Sequence, residues 1–248
     1  SGGVIEMNEK INNALKSLIS KGGAEIDGTA HGAAACVVDR DLFARTAKAL
    51  KEAGFRLAAQ WAADETFFGR GFGVYAAYGA GAGYLTIKAD IPYEDPCFPS
   101  ITRHFLSACR FERQIFSLMG VTPVGHPDLR PWIKHEDWPE DAHPLRKSFD
   151  GAKKLQRVKN EYHWVAAEGE GVFEIAVGPV HAGIIEPGHF RFQAIGENII
   201  NLETRFGYVH KGIEKRFESL SWHDAARLAG RVSGDSTVAH CVAFCMAA

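Results

Sequence analysis

The chain has 248 residues, 46% hydrophobic and 23% charged, proportions of a globular protein that exclude collagen-like, low-complexity and wholly disordered chains. Its 28 lysines and arginines against 30 acids leave a formal net charge of -2, so nothing global draws it to a phosphate backbone and nucleic acid is not an expected partner. No stretch approaches the ~20 apolar residues of a membrane-spanning helix, the N-terminus lacks the basic and apolar regions of a secretory signal, and the five cysteines form no CxxC pair, so reduced, buried thiols in a cytoplasmic protein are expected.

Along the chain, Asn8–Ser20 spaces Ile11, Leu15, Leu18 and Ile19 as one helical face, with Gly22 and Gly23 as the stop. Ala34–Val38 suits a short buried strand, and Asp39–Ala53 an amphipathic helix with Leu42, Phe43, Ala47 and Leu50 inward and Gly54 as its terminator. From Phe55 to Pro92 the period falls to two: Phe55–Leu57, Phe72–Tyr78 and Tyr84–Ala89 are expected strands joined by Gly-containing turns. Ser100–Met119 returns to helical spacing through Ile101, Phe105, Ala108, Phe111, Ile115 and Phe116. Helices on hairpin-connected strands make an α+β domain. Val121–Gly151 then carries five of the ten prolines, together with Trp132, Trp138 and Phe149, and keeps no period, which marks an irregular interaction arm.

The second half begins near Gln156. Val172–Val180, His189–Ile195 and Asn198–Glu203 are expected strands, with a hairpin turn at Gly196–Asn198. Gly207–Ser219 is expected to be helical, and Ser221 to cap a long helix with Trp222, Ala225, Leu228 and Ala229 on its apolar side. The chain stops at Ala248 with no Gly, Pro or basic cap, as expected of a piece cut from a longer polypeptide. Glycines at 69–73 and 79–83 lack the strand–GxGxxG–helix order of a nucleotide cradle and are expected turns. No P-loop, GxSxG or Ser-His-Asp order is present.

Two groups of motifs carry more. Gly125–Phe149 (GHPDLRPWIKHEDWPEDAHPLRKSF), with Phe111-Glu112-Arg113 and Met119-Gly120 before it, resembles the 30-kDa, C-type subunit family of respiratory complex I; Gln114, Ser117 and Ala142 depart from that pattern. The charged residues of this arm admit a self-neutralising network of ion pairs and turns, worth ~0–1 kcal/mol per exposed pair. They equally admit docking of a neighbouring subunit by His126, Asp128, Arg130, His143, Arg146 and Lys147. Gly178–Phe192 (GPVHAGIIEPGHFRF) and Phe206–Lys215 (FGYVHKGIEK) resemble the large-subunit family shared by the 49-kDa, D-type subunit of complex I and membrane-bound nickel–iron hydrogenases, including formate hydrogenlyase large subunits.

The resemblance implies a C-type domain at residues 7–150, with its arm at 121–150, fused to the first part of a hydrogenase-like large subunit at 151–248: helices on a mostly antiparallel sheet, then a small sheet leading into helices. Where complex I relatives place a second histidine for the quinone headgroup, this chain has Glu186, which implies a proton relay; a loop acid capping a turn or pairing with Arg191 is the structural alternative. Arg231–His240 (RVSGDSTVAH) keeps the Arg, Gly and His frame of the hydrogenase motif Arg-x-Cys-Gly-x-Cys-x-x-x-His but has Ser233 and Ser236 at the cysteine positions. A hydroxyl is a hard donor that stays protonated near neutral pH, so no metal is expected here and the family's nickel–iron centre lacks ligands. Cys241 and Cys245, at i and i+4, are expected inert thiols, and His181, His189 and His240 show no metal-ligand spacing.

The implied function is that of a peripheral-arm subunit in a membrane-associated oxidoreductase complex, beside an iron–sulfur protein subunit that holds the iron–sulfur clusters, and reaching membrane subunits only indirectly from the inner side of the cell membrane. Within it, His181, Glu186, Arg231 and His240 are the candidate catalytic residues. Two alternatives stand: an assembly scaffold that has lost its nickel–iron site, and a quinone reductase segment, which Glu186 and the serine motif disfavour.

Overall fold

The structure is a computed structural model that describes residues 9–20, 24–30, 33–81, 83–134, 137–159 and 161–248. It divides into two compact units, Ser1–Phe149 with Leu155–Asn160, and Asp150–Lys154 with Glu161–Ala248.

The first unit is α+β. Its helices are α1 (Glu9–Ser20), α2 (Phe43–Glu52) and α3 (Ala108–Met119). Strands β1 (Ala24–Ala30), β2 (Ala33–Val38), β3 (Arg56–Asp64), β4 (Phe72–Ala80) and β5 (Gly83–Ile91) form one sheet in the order β1-β2-β5-β4-β3. Only the β2–β5 pair is parallel; the other three are antiparallel. Side chains alternate across a pleated strand, so Cys36, Val74, Ala76, Tyr78, Leu85 and Ile87 point to one face. There they join Ile11, Phe43, Ala47, Leu50, Ile115 and Met119 in a single core. Each fully buried Phe, Leu or Ile contributes ~1.5–3 kcal/mol.

The opposite face is polar where it closes. Lys88, 6% exposed, lies 2.9 Å from Glu65 and 2.8 Å from Asp90, and the Tyr75 hydroxyl donates to Glu65. Burial and that bond push the Tyr75 phenol up to about 12. β1 is a strand that the sequence pattern does not announce: AEIDGTA has one large apolar residue and no alternation. The Leu15, Leu18 and Ile19 side chains of α1, and its expected stop at Gly22–Gly23, lie outside the described residues.

α3 corrects the expected helix at Ser100–Met119, because residues 100–107 form turns instead. The Glu112 carboxylate accepts from Ser100 Oγ (2.5 Å), Ile101 N–H (2.8 Å) and Thr102 Oγ1 (2.8 Å), and satisfying these local donors holds the chain out of a helix. Ile101 and Phe105 are buried all the same. After Gly120, a left-handed C-cap at φ 70°, β7 (Thr122–Val124) pairs in parallel with β6 (Cys97–Pro99).

The second unit contains a three-stranded antiparallel sheet of β8 (Val172–Val177), β9 (His189–Ile195) and β10 (Asn198–Arg205), in the order β10-β9-β8. Its cover is aromatic and cationic: the Arg191 guanidinium sits 4.5 Å from the Trp164 ring and that of Arg205 3.9 Å from the Tyr162 ring. Gln193 Nε2 donates to the Val165 carbonyl (2.8 Å), and Val165 N–H to Glu203 (3.0 Å), which fastens the backbone at Val165 to the sheet. β8 ends at Val177 rather than Val180, since Gly178 turns the chain at φ 77°.

The expected helix at Gly207–Ser219 contracts to α4 (Ile213–Phe217), delayed by a left-handed Gly212. The single long helix expected after Ser221 is two, α5 (Trp222–Ala229) and α6 (Thr237–Ala247), separated by a turn through Gly230 and Gly234. Gly230 sits close against α6: a Cβ there would stand 3.0 Å from Cys241 Sγ, a tight approach. Among the described residues no helix is long and apolar enough to cross a membrane.

Candidate functional site

The arm is built onto its own domain. His126 Nδ1 accepts from Asp128 N–H (3.0 Å), so the proton resides on Nε2, which donates to the Cys109 carbonyl (3.1 Å) and lies 3.9 Å from Glu112. Both the His126 and Glu112 side chains are fully buried. Arg130 forms a two-pronged pair with Asp128 (2.8 and 2.9 Å), and Arg113, 7% exposed, donates to the carbonyls of Arg130 (2.8 Å) and Pro131 (3.2 Å). Burial opposes ionisation of Asp128, but the bonds and charges of Arg130 and Arg113 hold its carboxyl below the usual range. The Trp132 ring lies beneath the guanidinium groups of Arg110 and Arg113, at 5.2 and 5.0 Å.

Farther along, Arg146 donates to the carbonyls of Met119 (2.8 Å) and Gly120 (3.2 Å), and a ring nitrogen of His143 meets the Ser117 carbonyl at 3.3 Å. Lys147 N–H donates to Asp64 (2.7 Å) while its residue stays at the surface. Lys134 donates to the carbonyls of Pro139, Glu140 and Ala142. Of the six residues expected to dock a neighbour, His126 is enclosed, Asp128, Arg130, His143 and Arg146 serve internal bonds, and Lys147 is exposed.

In the second unit the motifs meet at one edge. A Cβ on Gly178 would fall 2.0 Å from the Gly188 carbonyl oxygen, so only glycine lets the two ends of the 178–188 loop approach. His189 Nδ1 bonds the Gly178 carbonyl (3.0 Å), and His181 Nδ1 accepts from Gly183 N–H (3.0 Å). His181 Nε2 is buried and has no hydrogen-bond partner among the described residues. Glu186 is about half exposed and pairs with Lys211 at 3.6 Å, not with Arg191, whose carboxylate is Glu174 at 3.2 Å. Lys211 also donates to the Val232 carbonyl (3.4 Å), inside the Arg231–His240 motif. The loop acid and the serine motif are therefore neighbours, joined by a lysine that sequence reasoning passed over as part of a longer match.

Ser233 lies in extended backbone before a short 3-10 turn at Gly234–Ser236, and its carbonyl accepts from Thr237 Oγ1 (3.5 Å). Ser233, Ser236 and His240 are half-buried and Arg231 is exposed. Among the described residues no three His, Cys, Asp or Glu side chains come together in a way that could hold a metal ion. The donors at Ser233 and Ser236 are neutral hydroxyls, which do not suit a soft, low-potential metal centre. The thiols are less uniformly buried than expected: Cys36 is buried, Cys97, Cys109 and Cys241 partly so, and Cys245 is exposed on the helix end. Cys241 keeps a contact with the Ala226 carbonyl at 3.5 Å.

Residues 36–155 match the family described as "Respiratory-chain NADH dehydrogenase, 30 Kd subunit". Among curated proteins the chain is 35% identical to hydrogenase-4 component G of Escherichia coli K12, over 73% of this chain and 34% of that one. It is 33% identical to formate hydrogenlyase subunit 5 of the same organism, over 65% and 29%, and 31% identical to the fused C/D protein of NADH-quinone oxidoreductase from Phocaeicola vulgatus, over 62% and 33%. The chain thus spans about a third of the length of the curated relatives it matches. Among solved structures, "Nqo5 of the trypsin-resistant fragment (1-134) in P63 form" matches with a TM-score of 0.45 at 25% identity, covering 48% of this chain and 99% of that one.

Proposed function

We propose that the chain, whose residues 36–155 match the 30-kDa-subunit family of the respiratory-chain NADH dehydrogenase, is part of a peripheral subunit of a membrane-associated oxidoreductase complex of the formate hydrogenlyase and NADH-quinone oxidoreductase kind. The observation that carries this reading is the reach of the likeness to hydrogenase-4 component G: it covers 73% of the chain, more than the whole first unit contains, and so runs into the second unit. In this reading the first unit docks an iron–sulfur protein subunit through its outward surface around Lys147, while the buried bonds of His126, Asp128, Arg130, His143 and Arg146 keep the arm in shape. Membrane subunits are reached only through partners, from the inner side of the membrane, and electron transfer is coupled to ion movement in the whole assembly.

Glu186, half exposed and linked through Lys211 to the serine motif, is the proton-relay residue of the proposal, with His181, Arg231 and His240 as its further candidate residues. Ser233 and Ser236 cannot supply thiolates to a nickel–iron centre. Elemental analysis of the purified chain is expected to find less than about 0.1 nickel per chain, since hard neutral oxygens hold nickel weakly; about one per chain would overturn this part.

Co-expression with the iron–sulfur subunit of a formate hydrogenlyase-type complex tests the main reading. The two are expected to co-elute on size exclusion, with the association lost in Lys147→Glu. A chain that elutes alone in their presence would refute it. The serine pair supports a second reading, a scaffold without chemistry. It predicts that Glu186→Gln leaves turnover of the assembled complex unchanged, whereas the relay predicts a loss of about a hundredfold.

A further inference from the structure

We infer that Lys211 is a positioning residue that clamps the Glu186 loop to the serine motif. The inference rests on the reading of Glu186 as the relay acid and supplies what that reading lacks, a reason for the acid to stay in one place. The 182–187 stretch is solvent-facing, with Ile184 97% exposed and Ile185 56% exposed, so apolar packing does little to fix it. Its tether is electrostatic instead. One ammonium reaches Glu186 at 3.6 Å and the Val232 carbonyl at 3.4 Å, joining segments that lie 25 and 21 residues away in the chain.

The backbone that presents Lys211 is itself restrained. Gly207 and Gly212 both occupy the left-handed region, at φ 87° and 64°, and His210 N–H closes a turn on the Gly207 carbonyl at 3.1 Å. An ammonium carries three donors, enough to serve a carboxylate and a carbonyl together, and as a point charge it does not need the planar geometry of a guanidinium. Val232 adjoins Arg231 and Ser233 in sequence, so holding its carbonyl fixes the motif against the acid. A pair this exposed contributes ~0–1 kcal/mol, which is small for the fold yet enough to shift a loop population severalfold.

Hydrogen–deuterium exchange on the 248-residue protein tests the clamp. Lys211→Met is expected to speed exchange about twofold to fivefold in both 182–188 and 231–236 while α5 keeps its rate, the size expected for loss of an exposed pair. Glu186→Gln should loosen 182–188 alone, because the Val232 bond survives. Lys211→Arg should restore wild-type rates in both. The inference is overturned if Lys211→Met leaves either segment unchanged, or if α5 loosens along with them, which would mean a general loss of packing. Failure of the relay itself would show separately, as unchanged turnover of Glu186→Gln in the assembled complex with the exchange pattern intact.

Discussion

Glu112 sits fully buried and accepts from two hydroxyls and one backbone N–H, with Gln60 Nε2 at 3.3 Å and His126 close by. Removing a buried acceptor strands every donor that faced it, so Glu112→Ala is expected to cost about 3 kcal/mol in urea unfolding, whereas an exposed acid costs almost nothing. Gly120 is constrained twice: its φ is 70°, and a Cβ would lie 2.5 Å from the His143 ring and 2.7 Å from Arg146. Gly120→Ala should therefore destabilise the first unit by about 2 kcal/mol or more, measured the same way. Two titrations contribute to its pH response. Burial drags the His143 imidazole down, so the unfolded chain takes up its proton first, and stability falls as pH drops below about 6.5. Burial raises Asp64, but bonds from Thr66 and Lys147 more than offset it and leave the carboxyl lowered. Its contribution is present above about pH 4 and is lost as pH falls through the lowered folded value. Melting curves should show both declines, and His143→Gln should remove only the first.

Helix ends follow local chemistry where a polar side chain is free to act and fail where a tertiary partner takes it. Ser221 caps α5 as its sequence predicts, its hydroxyl accepting from Asp224 N–H at 3.2 Å. Ser221→Ala is expected to lower the stability of the second unit by about 1 kcal/mol, seen as an earlier calorimetric transition. Ser100 and Thr102 look like equally good starts for α3, yet both hydroxyls point to Glu112 and the helix waits until Ala108. The same limit appears in the second unit, where the apolar spacing from Trp222 onward continues but Gly230 and Gly234 break the helix so that α6 can close on α5.

The two units differ in how they are held. The first has one continuous core under a five-stranded sheet. The second buries few large side chains, leaves Phe173, Ile175, Val180, Ile184, Trp222 and Val238 exposed, and relies on cation–π stacks and the bonds of Val165. Scanning calorimetry is accordingly expected to resolve two transitions, the second unit melting first, with Glu112→Ala moving only the later one. Coincident melting, or a shift of both by that substitution, would contradict the division.

By itself the sequence determined most of the strands, the α+β class and the resemblance of both halves, because alternation, helical spacing and motif order are written in neighbouring residues. It also named candidate groups, from His126 and Arg146 in the arm to Glu186 and Ser233 in the second unit. What it could not decide was which partner each charge would choose. Asp64 bonds Lys147 across 83 residues of chain, His126 turns inward rather than out, and Glu186 pairs with Lys211 instead of Arg191. Such choices depend on which distant segments the backbone brings within about 3–4 Å, the range where hydrogen bonds and ion pairs act, and that proximity exists only in the folded chain.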